Sequence, residues 1–222
     1  MNRGYKALGA LLGYPTPELV SALPEIEAAL NAERGIRRTT RAALAGLVAE
    51  LRDADSIDAQ ERYVELFDRG RRTSLHLFEH VHGESRERGP AMVDLKRAYA
   101  RAGFLLVGNE LPDYLPAVLE FVSHRPDAEA RAMLSDCAHI LRAIGEALRD
   151  RASAYAAVLA AALELADEKG LAPPRDDRPD VEERPLDDEW REEPVFFGPS
   201  NGSGCGAGTP AASVVRFMPR NA

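Results

Sequence analysis

The sequence predicts an all-α fold, on three observations. Of its 222 residues, 45% are hydrophobic but only 6% aromatic; alanine and leucine, strong helix formers, supply much of the apolar content. As far as about residue 170, apolar residues recur at i, i+3, i+4 and i+7, the repeat of one buried helical face. Proline and cap-forming side chains punctuate those runs. The expected architecture is a single-domain bundle of about seven or eight helices over residues 1–170, followed by an acidic tail, 171–222, expected to be disordered.

The first helix carries Leu8, Leu11 and Leu12 and stops at Gly13-Tyr14-Pro15. Thr16 is suited to N-cap the next and Pro17 to occupy its first position, where a missing N–H costs nothing. Pro24 predicts that the stretch from Pro17 to Asn31 is two short helices or a kinked one. Leu44, Leu47, Val48 and Leu51 mark a third buried face, and a further helix is expected over Ile57–Phe67.

From Arg69 to Gly89, glycines and charged residues surround an apolar patch of Leu75, Leu77, Phe78 and Val81, which reads as a loop containing a short helix. Helix resumes at Pro90 and ends near Gly103. Pro112 is read as the first position of another helix, entered through Glu110 and Asp113 and continued by Leu115, Val118, Leu119 and Val122. One long helix capped by Asp127 carries the stripe Met133, Leu134, Cys137, Ile140, Leu141, Ile144 and Leu148. The last, capped by Ser153, runs from Tyr155 and ends at Gly170. Within the tail, Trp190 and Val195-Phe196-Phe197 form an apolar knot of the kind that docks on a partner surface.

Charge and motif content exclude several classes. Residues 171–194 hold ten acidic residues against four arginines, so most of the formal charge of −8 is local, and a nucleic-acid partner, which needs a concentrated basic face, is not expected. No apolar run approaches the length of a membrane span, and the opening residues lack the sustained apolar region of an export signal, so the cytoplasm is the expected compartment. Two cysteines, Cys137 in an apolar helix and Cys205 among glycines, fit a reducing compartment. Neither a phosphate-binding GxxxxGK[ST] loop nor a GxGxxG turn is present.

The densest chemistry lies in residues 61–89, where His76, His80 and His82 stand among Phe67, Phe78 and many charged side chains. On a helix His76 and His80 share a face, so a metal-dependent hydrolase using both with a carboxylate such as Glu79 or Glu84 is the alternative reading. HLFEH is not the HExxH arrangement, and Ser85 in GESRERG is not a nucleophile elbow. The favoured reading is a polar groove lined by imidazoles that titrate near neutrality, with no catalytic residues, metal or resident cofactor.

The run ERYVELFDRGRRTSLHLFEHVHGESRERGPAM, followed by NELPDYLP, resembles the NarJ family of nitrate reductase molybdenum cofactor assembly chaperones, related more distantly to the TorD-type redox enzyme maturation chaperones. The opening ALGALLGYP and the tail's EEPVFFG are also similar to that family. The resemblance implies a TorD/NarJ-like helical chaperone, not an enzyme, that binds the N-terminal segment of the catalytic subunit of respiratory nitrate reductase, with molybdenum cofactor delivery proteins as further partners. Carried over by motif, the client-peptide surface comprises Tyr63, Phe67 and Asp68, then His76, Leu77, Phe78, Glu79, His80, His82, Glu84 and Ser85, with Glu110, Asp113 and Tyr114 opposite. An amphipathic client needs an apolar floor, for which Phe67, Leu77, Phe78 and Tyr114 are candidates, and a polar rim, expected from Asp68, Glu79, Glu84 and Asp113.

Overall fold

A computed structural model of the chain describes residues 1–82, 85–106 and 110–172. Its order is α1 (Arg3–Leu11), α2 (Pro17–Ala32), α3 (Arg38–Asp53), α4 (Ser56–Phe67), a 3-10 turn (Arg71–Thr73), α5 (Leu77–His82), α6 (Arg88–Arg101), α7 (Leu115–Ser123), α8 (Asp127–Asp136), α9 (Ala138–Asp150) and α10 (Ala156–Leu165). Among the described residues there is no strand, only an isolated antiparallel bridge between His76 and Tyr114.

Packing follows from which helices are apolar on one side and which on all. In α10, AAVLAAALEL, eight of ten residues are buried, so this helix has no solvent face and becomes the centre of the bundle. Around it pack α9, α3 and α1, and α1 in turn lies against α7 and α2. Gly9 makes the α1–α7 approach possible: a Cβ there would lie 3.0 Å from the Pro116 carbonyl oxygen and 3.2 Å from the Leu119 Cβ. The one carboxylate of α10, Glu164, its side chain only 5% exposed, reaches across to α3, where it accepts the Arg37 backbone N–H at 2.8 Å and the Thr40 hydroxyl at 2.7 Å. It thereby supplies the N-terminal cap that α3 lacks in its own sequence.

Several sequence expectations hold to the residue. Thr16 caps α2 through its hydroxyl with Pro17 beside it, Leu44, Leu47, Val48 and Leu51 are the buried face of α3, and Gly103 takes the left-handed φ of +83° after α6.

Others are corrected. Of the two alternatives at Pro24, two short helices are ruled out: α2 is one helix with Pro24 inside it, on the exposed side. Pro112 is not the first position of α7, which begins at Leu115 with Pro116 in its first turn. The long helix expected from Asp127 is two, α8 and α9, broken at Cys137, whose thiol turns back to the carbonyls of Met133 and Leu134. No glycine or proline marks that break, and the apolar stripe runs on across it. This break and the separate α5 bring the described α-helices to ten. Asp127 lies inside the first turn of α8, Ser153 bonds the Tyr155 N–H ahead of α10, and α10 ends at Leu165 with Asp167, not Gly170, in the left-handed conformation.

Leu171 still packs on the core, with the Ala172 N–H bonded to Glu146 on α9. The rest of the tail, with Trp190, Val195–Phe197 and Cys205, lies outside the described residues.

Candidate functional site

The histidine run is held by a short two-stranded exchange with the segment that leads into α7. The Leu115 N–H donates to the Leu75 carbonyl at 2.8 Å and the Leu77 N–H to the Asp113 carbonyl at 3.1 Å, which sets His76 opposite Tyr114. Asp113 closes the joint with its side chain. Wholly buried, its carboxylate accepts the Phe78 N–H at 3.0 Å, capping α5 from outside that helix, and faces the His76 Nδ1 at 3.4 Å. The bond from Asp113 raises the His76 pKa above its ordinary value; the charges of Asp113 and Glu79 act in the same direction, while burial and Arg88 oppose them.

Ser74 is a second anchor. Its hydroxyl donates to Glu79 at 2.5 Å, its carbonyl accepts from the His80 Nε2 at 2.9 Å, and Arg88 at the start of α6 donates to the other Glu79 oxygen at 3.1 Å. Because a carbonyl only accepts, His80 carries a proton on Nε2 and its ring is turned inward.

Beneath the joint lies an aromatic stack. Tyr63 and Phe67 of α4 are core residues, 4% and 5% exposed, packed on each other and on Tyr155. The Tyr63 hydroxyl donates to the Leu12 carbonyl at 2.8 Å and meets the Tyr114 hydroxyl at 3.0 Å. Burial raises the pKa of both tyrosines, so both remain neutral across the physiological range.

The sequence-predicted residues therefore sort by depth. Tyr63, Phe67 and Leu77 are buried and support the surface, and Asp113, expected on the rim, is sealed inside. Phe78, Tyr114, His76, Glu79, His80 and His82 are partly exposed; Asp68, Ser85 and Glu110 are exposed. Val81, expected in the apolar patch, is 51% exposed. His82 stands edge-on to Phe78 with ring centroids 5.6 Å apart, and the Ser85 hydroxyl accepts the Glu87 N–H. Glu84 lies outside the described residues.

Ser74, Arg88 and Tyr14 belong to this region and were not among the predicted site residues. Only Ser74 offered a signal, as a capping-type side chain just ahead of the run.

The hydrolase reading needs His76 and His80 to converge on one ion. Instead His76 turns to Asp113 and His80 to the Ser74 carbonyl, and the described residues contain no group of three or more His, Cys, Asp or Glu placed to hold a metal. Among the described residues no helix is long and apolar enough to cross a membrane.

The described residues form an all-helical bundle that carries a strapped, partly exposed patch of aromatic and imidazole side chains. Residues 33–161 match the family model of the nitrate reductase delta subunit, and the chain belongs to that family. It is 42% identical over 216 residues to the nitrate reductase molybdenum cofactor assembly chaperone NarJ of Escherichia coli K12, covering 93% of this chain and 89% of that protein. It is also 40% identical over 205 residues to the probable nitrate reductase molybdenum cofactor assembly chaperone NarW of the same strain, covering 90% and 86%. With the probable chaperone NarJ of Bacillus subtilis it shares 36% identity over 164 residues, 72% of this chain and 88% of that one.

Proposed function

We propose that this chain is an assembly chaperone for respiratory nitrate reductase. It binds the N-terminal segment of the catalytic subunit in the cytoplasm, keeps that subunit competent for insertion of the molybdenum cofactor, and delays membrane docking until the cofactor is in place. Molybdenum cofactor delivery proteins are its further partners. The cofactor is the client's cargo; the chaperone works by binding, without turnover.

The reading rests first on nearly full-length similarity to proteins named as nitrate reductase molybdenum cofactor assembly chaperones, established or probable. The geometry supports it in a specific way: Phe78 and Tyr114 offer apolar surface that is neither buried in the core nor freely mobile, because Asp113 and Ser74 fix the segments that carry them. A surface fixed beforehand binds an amphipathic segment without the entropic cost of ordering itself.

The test is calorimetric titration of the full chain with a synthetic peptide of the catalytic subunit's N-terminal segment, beside a Phe78→Ala variant. Saturable binding is expected, weakened about tenfold by the substitution. An absence of heat and of any spectroscopic shift at every accessible concentration overturns the reading.

A further inference from the structure

We propose that Tyr114 and His76, flanked by the carboxylates of Asp68 and Glu110, form a subsite for one arginine side chain of the bound segment. This rests on the chaperone reading above and names a chemical requirement that it places on the client.

Two rings come first. His76 and Tyr114 are neighbours across the backbone bridge, their centroids 5.4 Å apart and their planes tilted by 35°. Neither ring is free to turn away: the imidazole is held by Asp113 and the phenol by the Tyr63 hydroxyl. Both remain partly exposed, so they offer a fixed aromatic surface at the mouth of the joint.

The charges beside it are the second observation. Asp68 follows α4 directly after Phe67, and Glu110 precedes the turn that leads to Tyr114. Both are exposed, and among the described residues neither side chain has an ion pair or a hydrogen bond. The acidic neighbours Glu79 and Asp113, by contrast, are fully engaged within the fold. Both free charges are close enough to bear on the Tyr114 hydroxyl, adding to burial in raising its pKa, with the Tyr63 hydrogen bond acting the other way.

Two uncommitted carboxylates beside a fixed aromatic surface complement a cation. Between the two basic side chains, the planar guanidinium is the better match, since it stacks on a ring while donating to carboxylates at its edge. An ammonium group, compact and strongly hydrated, gains less from such a surface.

The experiment titrates the full chain, and its double variant Asp68→Asn/Glu110→Gln, with the catalytic-subunit peptide and with peptides in which each arginine in turn is citrulline. Citrulline keeps the planar shape and removes the charge. One citrulline substitution is expected to weaken binding to the native chain about fivefold and to leave binding to the double variant unchanged. Binding that persists with no citrulline-sensitive arginine, or with equal losses in both proteins, overturns the subsite and leaves the chaperone reading standing. A peptide with that arginine changed to lysine that binds as tightly as the original overturns the guanidinium assignment. No binding of the unmodified peptide to the native chain overturns both.

Discussion

The part of the bundle built on α1, α7, α9 and α10 and the stretch formed by α5 and α6 bury their apolar residues to very different degrees. In the first, Leu8, Leu119, Leu141, Ile144 and Leu159 are completely buried, and glycines at the contacts bring the backbones close. In the second, Tyr99 is the one buried residue of α6, while Val81 and Val93 remain about half exposed. The first region is fixed by packing; the second is anchored on the core through Leu77 and Tyr99 and otherwise by a few polar links: Asp113 to Phe78, Ser74 to Glu79 and His80, and Glu79 to Arg88. On the proposed function, the second region can leave apolar surface for a partner because the first folds without it.

The contrast breaks most visibly on truncation of core and arm. Leu119→Ala, at the α1–α7 contact, is expected to cost about 3 kcal/mol of unfolding free energy in urea, from lost transfer energy and the cavity left behind. Val93→Ala on α6 should change it by no more than about 0.5 kcal/mol. A comparable loss from both would mean that α6 packs as tightly as the bundle.

The polar links give a smaller but more local effect. Asp113→Ala removes the acceptor of the Phe78 N–H and the partner of His76 from a fully buried position, at an expected cost of about 2 kcal/mol. Hydrogen exchange should locate the loosening at residues 75–82 and leave α9 and α10 protected. Uniform loss of protection would refute the division into two regions.

The same division explains what the sequence disclosed. The bundle was readable because burial imposes a period: the face of α3 and the Thr16 cap need no partner to be recognised. The break at Cys137 was not, because the apolar stripe continues through it and no proline or glycine marks it. At the candidate site, residue types drew attention to one stretch, but depth was invisible. Tyr63 and Asp113 look like surface groups by composition, and only tertiary contacts from α1 and the α7 entrance bury them. Tyr14 joins the region through its edge-on contact with Tyr63, 5.5 Å between centroids, which local sequence around a Gly-Tyr-Pro turn does not announce.

The smallest expected effect separates stability from binding at one residue. Asp113 raises the folded-state pKa of His76, so the link contributes stability that is complete below the unfolded value of about 6.5 and is lost as pH rises through the raised folded value. His76→Gln should therefore lower stability more at about pH 6 than at about pH 9, with the difference between the two proteins shrinking across that interval. On the arginine subsite proposed above, client affinity should run the other way, weaker for the native chain near pH 5.5 than near 7.5, because a protonated imidazole repels an incoming cation. Glu79 and Arg88 face the same ring with opposite charges, the first supporting its protonation and the second opposing it. If stability and client affinity instead weakened together as pH falls, the His76 link would be no part of the holding surface, and the charged groups of α5 and α6 would be acting through global stability alone.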